Sequence, residues 1–139
     1  MVRIRRANLT DSDRVFELVK EFATSFQPEL DSFRRSFSQI ILKDDALLIV
    51  AQDSGKLLGY LLGFDHPTLF ANGSIAWAEE VAVEADRRRQ GIGRQLMREF
   101  EEWARSRGSR LVALATRRAT DFYLSLGYEE SATYFRKLL

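Results

Sequence analysis

The chain has 139 residues, 45% of them apolar, and 21 Lys and Arg against 20 Asp and Glu give a formal net charge of +1. That size fits one domain over residues 1–139 with apolar mass enough for a real core, and the near balance of charge argues against a general nucleic-acid or anionic-membrane partner. Without cysteine there is no disulfide framework, thiolate metal site or cysteine acyl-enzyme; His66 is the sole imidazole and the acids lack ligand spacing, so no metal centre is expected.

Residues 2–6 alternate apolar and charged side chains, as a half-buried strand does, and nothing there or later reaches the length of a signal or membrane span, which makes the cytoplasm the expected location. Thr10 is a candidate N-cap ahead of Asp11 and Asp13, after which Val15, Leu18, Val19, Phe22 and Phe26 recur at helical spacing. Pro28 suits the start of a second helix, striped by Leu30, Phe33, Phe37, Ile40 and Ile41 and broken by Lys43-Asp44-Asp45. Residues 46–52 and 57–64 are strand-like runs around the turn Asp53-Ser54-Gly55-Lys56, which predicts a hairpin. A loop over 65–73 leads to a strand at 74–83, and a long helix marked by Ile92, Leu96, Phe100, Trp103 and Ala104 closes at Gly108. A short strand at 111–115, a short helix at 118–126 stopped by Gly127 and a final strand at 128–138 complete an α/β order of β-α-α-β-β-β-α-β-α-β. The strand-helix-strand unit over 74–115 should join parallel strands, which puts the residues between strand and helix at a C-terminal sheet edge, where ligands bind.

Those residues carry the strongest chemical signal. Arg88-Arg89-Gln90-Gly91-Ile92-Gly93-Arg94 joins the strand to the helix. Two glycines two residues apart admit an anion close to the backbone, the first helical amides have no internal partners, and the helix dipole makes the spot electropositive. Arginines at 87, 88, 89 and 94 add charged donors suited to phosphate oxygens. The pattern lacks the third glycine of a Rossmann fingerprint, since position 96 is Leu96, and lacks the Gly-Lys-Ser/Thr of a P-loop. A small diphosphate-bearing molecule is the expected guest.

The R-x-x-G-x-G run from Arg88 to Gly93, with Val83 upstream and Phe122-Tyr123-Leu124-Ser125-Leu126-Gly127-Tyr128 downstream, resembles the two motifs of the GNAT superfamily of N-acetyltransferases. Ala85, Arg87, Arg89 and Thr116 depart from the family's common proline, tyrosine, glycine and asparagine. The resemblance implies a mixed, mostly antiparallel central sheet with helices on both faces. It implies acetyl-CoA as co-substrate, with its pyrophosphate on Arg88, Arg89, Gln90, Gly91, Ile92, Gly93 and Arg94. The pantetheine arm would lie between splayed strands along the backbone of Val81, Ala82 and Val83, with Thr116 at the asparagine position and Tyr123 beside the sulfur. A homodimer is a further expectation of the resemblance.

Transfer of acetyl from a thioester to an amine needs a neutral amine, a stabilised oxyanion and a proton for the leaving thiolate. Glu79 and Glu80 are acids in an otherwise apolar strand; period-two alternation puts them on opposite faces unless a bulge intervenes, and Glu79 is the favoured base because it matches the strand glutamate of polyamine-acetylating relatives. Tyr123 is the candidate proton donor to the thiolate. His66 and Asp65 form a weaker candidate entry point for a cationic acceptor, and Trp77, Phe26, Phe33 and Phe37 read as core. With no cysteine to hold the acetyl group, direct transfer in a ternary complex to a primary amine of a small molecule is expected. The alternatives are a protein lysine or N-terminal acetyltransferase, for whose docking 139 residues leave little room, and a non-catalytic module that senses acetyl-CoA.

Overall fold

Both faces of the central hairpin are covered, which explains why its strands read as continuous apolar runs and not as alternating ones. The computed structural model describes all 139 residues. β1 (Arg3–Arg6), β2 (Ala46–Asp53), β3 (Lys56–Pro67), β4 (Ser74–Val83) and β5 (Val112–Leu114) form one sheet in the order β1-β2-β3-β4-β5. The first three pairings are antiparallel and β4 with β5 is parallel.

On one face lie α1 (Ser12–Phe22) and α2 (Leu30–Leu42), burying Val15, Leu18 and Phe37 against Leu48, Val50, Tyr60 and Leu62. On the other lie α3 (Ile92–Ser106) and the short α4 (Thr120–Ser125). There Ile92, Leu96, Met97, Phe100 and Ala104 pack on Leu47, Ile49, Leu61, Ala76 and Ala78, flanked by Phe122, Tyr123 and Leu126. Phe100 is fully buried because Gly63 leaves it room: a Cβ at 63 would fall 2.1 Å from its Cε1. No helix is long and apolar enough to cross a membrane.

Three elements differ from the sequence reading. α1 ends at Phe22, and Phe26 is 71% exposed beyond it, because the chain turns extended at Ala23. β3 continues through Asp65 and His66 to Pro67, pairing His66 with Ile75 and Pro67 with Ser74; proline is tolerated there as the last strand residue. The final strand does not form. Residues 129–139 are exposed, the acid pair Glu129-Glu130 disfavours a strand, and β5 is only three residues long. The tail instead stacks Tyr134 on Trp77 at 6.4 Å and donates from Arg136 to Ser25 Oγ at 2.7 Å.

Candidate active site

The site is built where β4 outruns its neighbour. β5 pairs only with Ala76, Trp77 and Ala78, whereas β3 accompanies β4 to Val83, so Val81, Ala82 and Val83 have a strand on one side and an open edge on the other. At the opening of that gap the register slips: Leu62 pairs with Glu80 and Gly63 with Ala78, which leaves Glu79 as the extra residue of a β-bulge. The bulge reverses the parity of the strand. Ala76 and Ala78 belong to the α3 core, then Val81 and Val83 do, while Ala82 packs with the α1/α2 core.

Glu80 therefore faces α1 and α2 alongside Tyr60. The Tyr60 hydroxyl donates to Glu80 Oε1 at 2.7 Å. Burial holds the Glu80 carboxyl above the ordinary carboxylate range; the Tyr60 hydrogen bond pulls it back down in part, and the nearby charge of Glu79 adds to the rise. Burial, then the charge of Glu80 and the hydrogen bond to it, push the Tyr60 phenol far above its usual value. Glu79 itself is exposed. Glu80 and Tyr60 line a cavity of about 240 Å³ between the sheet and α1/α2 whose other walls are mostly apolar, Phe33, Phe37 and Leu62 among them.

Past Val83 the chain makes one short helical turn, Ala85–Arg87, and enters the glycine loop. Arg89 and Gly91 both take left-handed conformations, with φ of 64° and 83°. The fold gives these residues little else to do: none of the amides from Arg88 to Arg94 donates to an acceptor in the protein, and α3 starts without a side-chain cap. A row of free amides at the start of a 15-residue helix has the geometry that receives an anion. Arg89 and Arg94 are exposed beside it. Arg87 is committed elsewhere, to Gln90 Oε1 at 2.9 Å and Asp53 Oδ2 at 3.1 Å, and Arg88 Nε donates to the Val83 carbonyl at 3.1 Å, bracing the turn against the strand end.

α4 abuts the loop, since a Cβ at Gly93 would lie 3.1 Å from Phe122 Cζ. Thr116 Oγ1 accepts from the Ala119 amide at 3.1 Å and so caps the entry to α4. Tyr123 lies on the α3 face with Val81 and Val83, packed edge-on to Phe122 at 4.9 Å and Tyr128 at 5.9 Å, and burial raises its phenol above the usual value. The structure thus gathers the glycine loop, the open edge of β4 and Tyr123 on one side of the sheet and Glu80 on the other. His66 is exposed, and Asp65 is buried in a bidentate pair with Arg107, which also reaches Asp44 and lies over the Trp103 ring. A carboxylate held that way is not available to draw in a cationic acceptor. Tyr60 escaped the sequence reading, although a tyrosine inside a buried apolar run needs a partner for its hydroxyl, and that was the available signal.

Residues 12–128 match the model of the Acetyltransferase (GNAT) family. The chain belongs to this family. It is 32% identical over 142 residues to an aminoalkylphosphonate N-acetyltransferase of Salmonella typhimurium, covering 98% of this chain and 90% of that one. It is 31% identical over 135 residues to a glucosamine 6-phosphate N-acetyltransferase of Oryza sativa subsp. japonica, covering 92% and 81%. Among solved structures, one described as a transcriptional regulator from Bacillus halodurans C-125 superposes over the whole of both chains with a TM-score of 0.90 and 27% identity. Membership makes the protein an N-acetyltransferase, an acyltransferase by reaction class, and the GNAT fold accounts for the five-stranded, mostly antiparallel sheet with helices on both faces.

Proposed function

We propose that the protein transfers acetyl directly from acetyl-CoA to the primary amine of a small molecule while both are bound. The observation that carries this reading is the run of unengaged amides from Arg88 to Arg94 beside the unpaired edge of β4. That arrangement suits a molecule with a diphosphate at one end and amide groups along its arm. In this reading the pyrophosphate takes the amides of residues 88–94 with charge from Arg89 and Arg94, and the arm runs along Val81, Ala82 and Val83. Thr116 keeps α4, and with it Tyr123, against that arm.

The acceptor enters from the α1/α2 side as an ammonium. Glu80, whose carboxyl burial holds above the ordinary carboxylate range, takes one of its protons. The freed nitrogen lone pair attacks the thioester carbonyl, and the bulge at Glu79 breaks the ladder at the point where donors for the oxyanion are wanted. The C–S bond then breaks, and the sulfur leaves with its electron pair and takes the Tyr123 hydroxyl proton. The second proton of the attacking nitrogen passes through solvent to restore the phenol, leaving a neutral amide and the thiol. Glu79, the base favoured from the sequence, acts in this scheme through its charge on Glu80. Small amines are the acceptors named for the two curated relatives, which supports a small acceptor here over a protein.

The test is thiol release from acetyl-CoA over a panel of amines, with coenzyme affinity measured separately by calorimetry. Tight coenzyme binding without thiol release for any amine would replace this reading with a sensing module.

A further inference from the structure

The cavity between α1/α2 and the sheet has an uneven chemistry. Its apolar walls include Phe33, Phe37, Ile40 and Leu62, its carboxylates are Glu29 and Glu80, and no Lys, Arg or His lines it. Of the cations on that face, Arg14 binds the Leu57 carbonyl and Glu84, Arg34 pairs with Asp13 and Lys20 pairs with Glu17, while Arg35 stands at the rim, donating to the Oγ of the lining residue Ser32 at 3.2 Å. Arg136 of the tail is turned to Ser25.

We infer that the acceptor is a small primary amine on an apolar body, alkyl or arylalkyl, bearing no phosphate, phosphonate or carboxylate. The inference rests on the proposal that this cavity holds the acceptor. An ammonium meets two carboxylates here, and an apolar body meets aromatic and aliphatic walls. An anionic group inside the cavity would lose its water with no cation among the lining side chains to replace it and two carboxylates to repel it, Arg35 reaching only the rim. The cavity, at about 240 Å³, is below the roughly 300–1,000 Å³ of sites for drug-sized ligands, which suits an amine of one ring or a short chain. The two curated relatives are named for acceptors that carry a phosphorus-bearing anion, so this chain would share their reaction and not their acceptor.

The experiment compares 2-phenylethylamine and 3-methylbutylamine with 2-aminoethylphosphonate and glucosamine 6-phosphate in thiol release at saturating acetyl-CoA, and measures 2-phenylethylamine binding by calorimetry. The expected result is a kcat/KM at least about 100-fold higher for the apolar amines, given the cost of burying an unpaired anion. Ser36→Lys places a cation in the lining from an exposed helix position and should raise the KM for 2-phenylethylamine about tenfold without moving the KM for acetyl-CoA. Preference for the phosphorus-bearing acceptors, or indifference to Ser36→Lys, overturns the inference while leaving acetyl transfer intact. If no amine releases thiol, the proposed function fails, and calorimetry still decides the cavity. Binding of 2-phenylethylamine weakened by Ser36→Lys sustains it as an apolar-amine site, and absence of binding overturns it.

Discussion

Tyr60 and Glu80 meet diagonally across β3 and β4, the phenol donating to the carboxylate at 2.7 Å although Tyr60 is registered opposite Ala82 and Glu80 opposite Leu62. Diagonal neighbours on one sheet face are within reach of long side chains. The pair exists only because the bulge at Glu79 turns Glu80 to the α1/α2 face.

The carboxyl of Glu80 is raised in the folded protein, so the folded state binds its proton more tightly than the unfolded chain does. Its stabilising contribution is complete below the ordinary glutamate value of about 4.3 and is lost as pH climbs through the raised value. Glu80→Gln keeps an acceptor for Tyr60 and removes the buried charge. Thermal melts should show the variant at least as stable as the wild type at pH 7, with the difference shrinking toward pH 4. Its kcat should fall about 100-fold as a general base is lost, together with the acid limb of the pH profile. Wild-type kcat in this variant removes Glu80 from the proton path.

Tyr60→Phe deletes the one interaction that lowers the Glu80 carboxyl. The acid limb of kcat/KM should move to higher pH, a displacement that a general loss of activity would not produce. Because Tyr60 is only 1% exposed and its partner loses a hydrogen bond, unfolding free energy should drop by about 1–3 kcal/mol in urea titrations. An unmoved limb would mean that the hydrogen bond does not set the carboxyl.

At Gly91 a Cβ would meet nothing within 4 Å, so a side chain there costs only the left-handed backbone, about 1–2 kcal/mol, and clashes with no part of the protein. Gly91→Glu should fold and still lose coenzyme affinity, since it puts bulk and negative charge where the proposed function places the phosphates. Calorimetry showing unchanged affinity would dissociate the loop from the coenzyme.

Much of this was legible in the sequence because its signals are local. The helix stripes, the hairpin turn and the glycine pair each lie within a short window, and the parallel pairing of β4 and β5 follows from the strand-helix-strand order. What the sequence concealed depends on residues far apart. Nothing near Glu79 and Glu80 announces a bulge, so the alternation rule could separate the two acids but not choose between them. The Asp65–Arg107 pair joins positions 42 residues apart, which turned a candidate recognition acid into a structural one. The tail from 128 to 138 has a strand-like period, yet β5 gives it too short an edge to join.

Gly93 couples the glycine loop to α4. A Cβ there would press on Phe122 Cζ at 3.1 Å, closer than side chains ordinarily settle, and Phe122 is the neighbour of Tyr123 on the same helix. Gly93→Ala should displace α4, costing about 1–3 kcal/mol as overpacking, and lower kcat by moving the Tyr123 phenol from the sulfur. Phe122→Leu in the same chain makes room and should restore much of that loss. Tyr123→Phe removes the proposed proton donor with the helix in place, so it should lower kcat with little change in coenzyme affinity and with no rescue by Phe122→Leu. If Tyr123→Phe retains full activity across the pH range while Gly93→Ala remains impaired, the coupling is one of shape alone and the thiolate takes its proton from solvent.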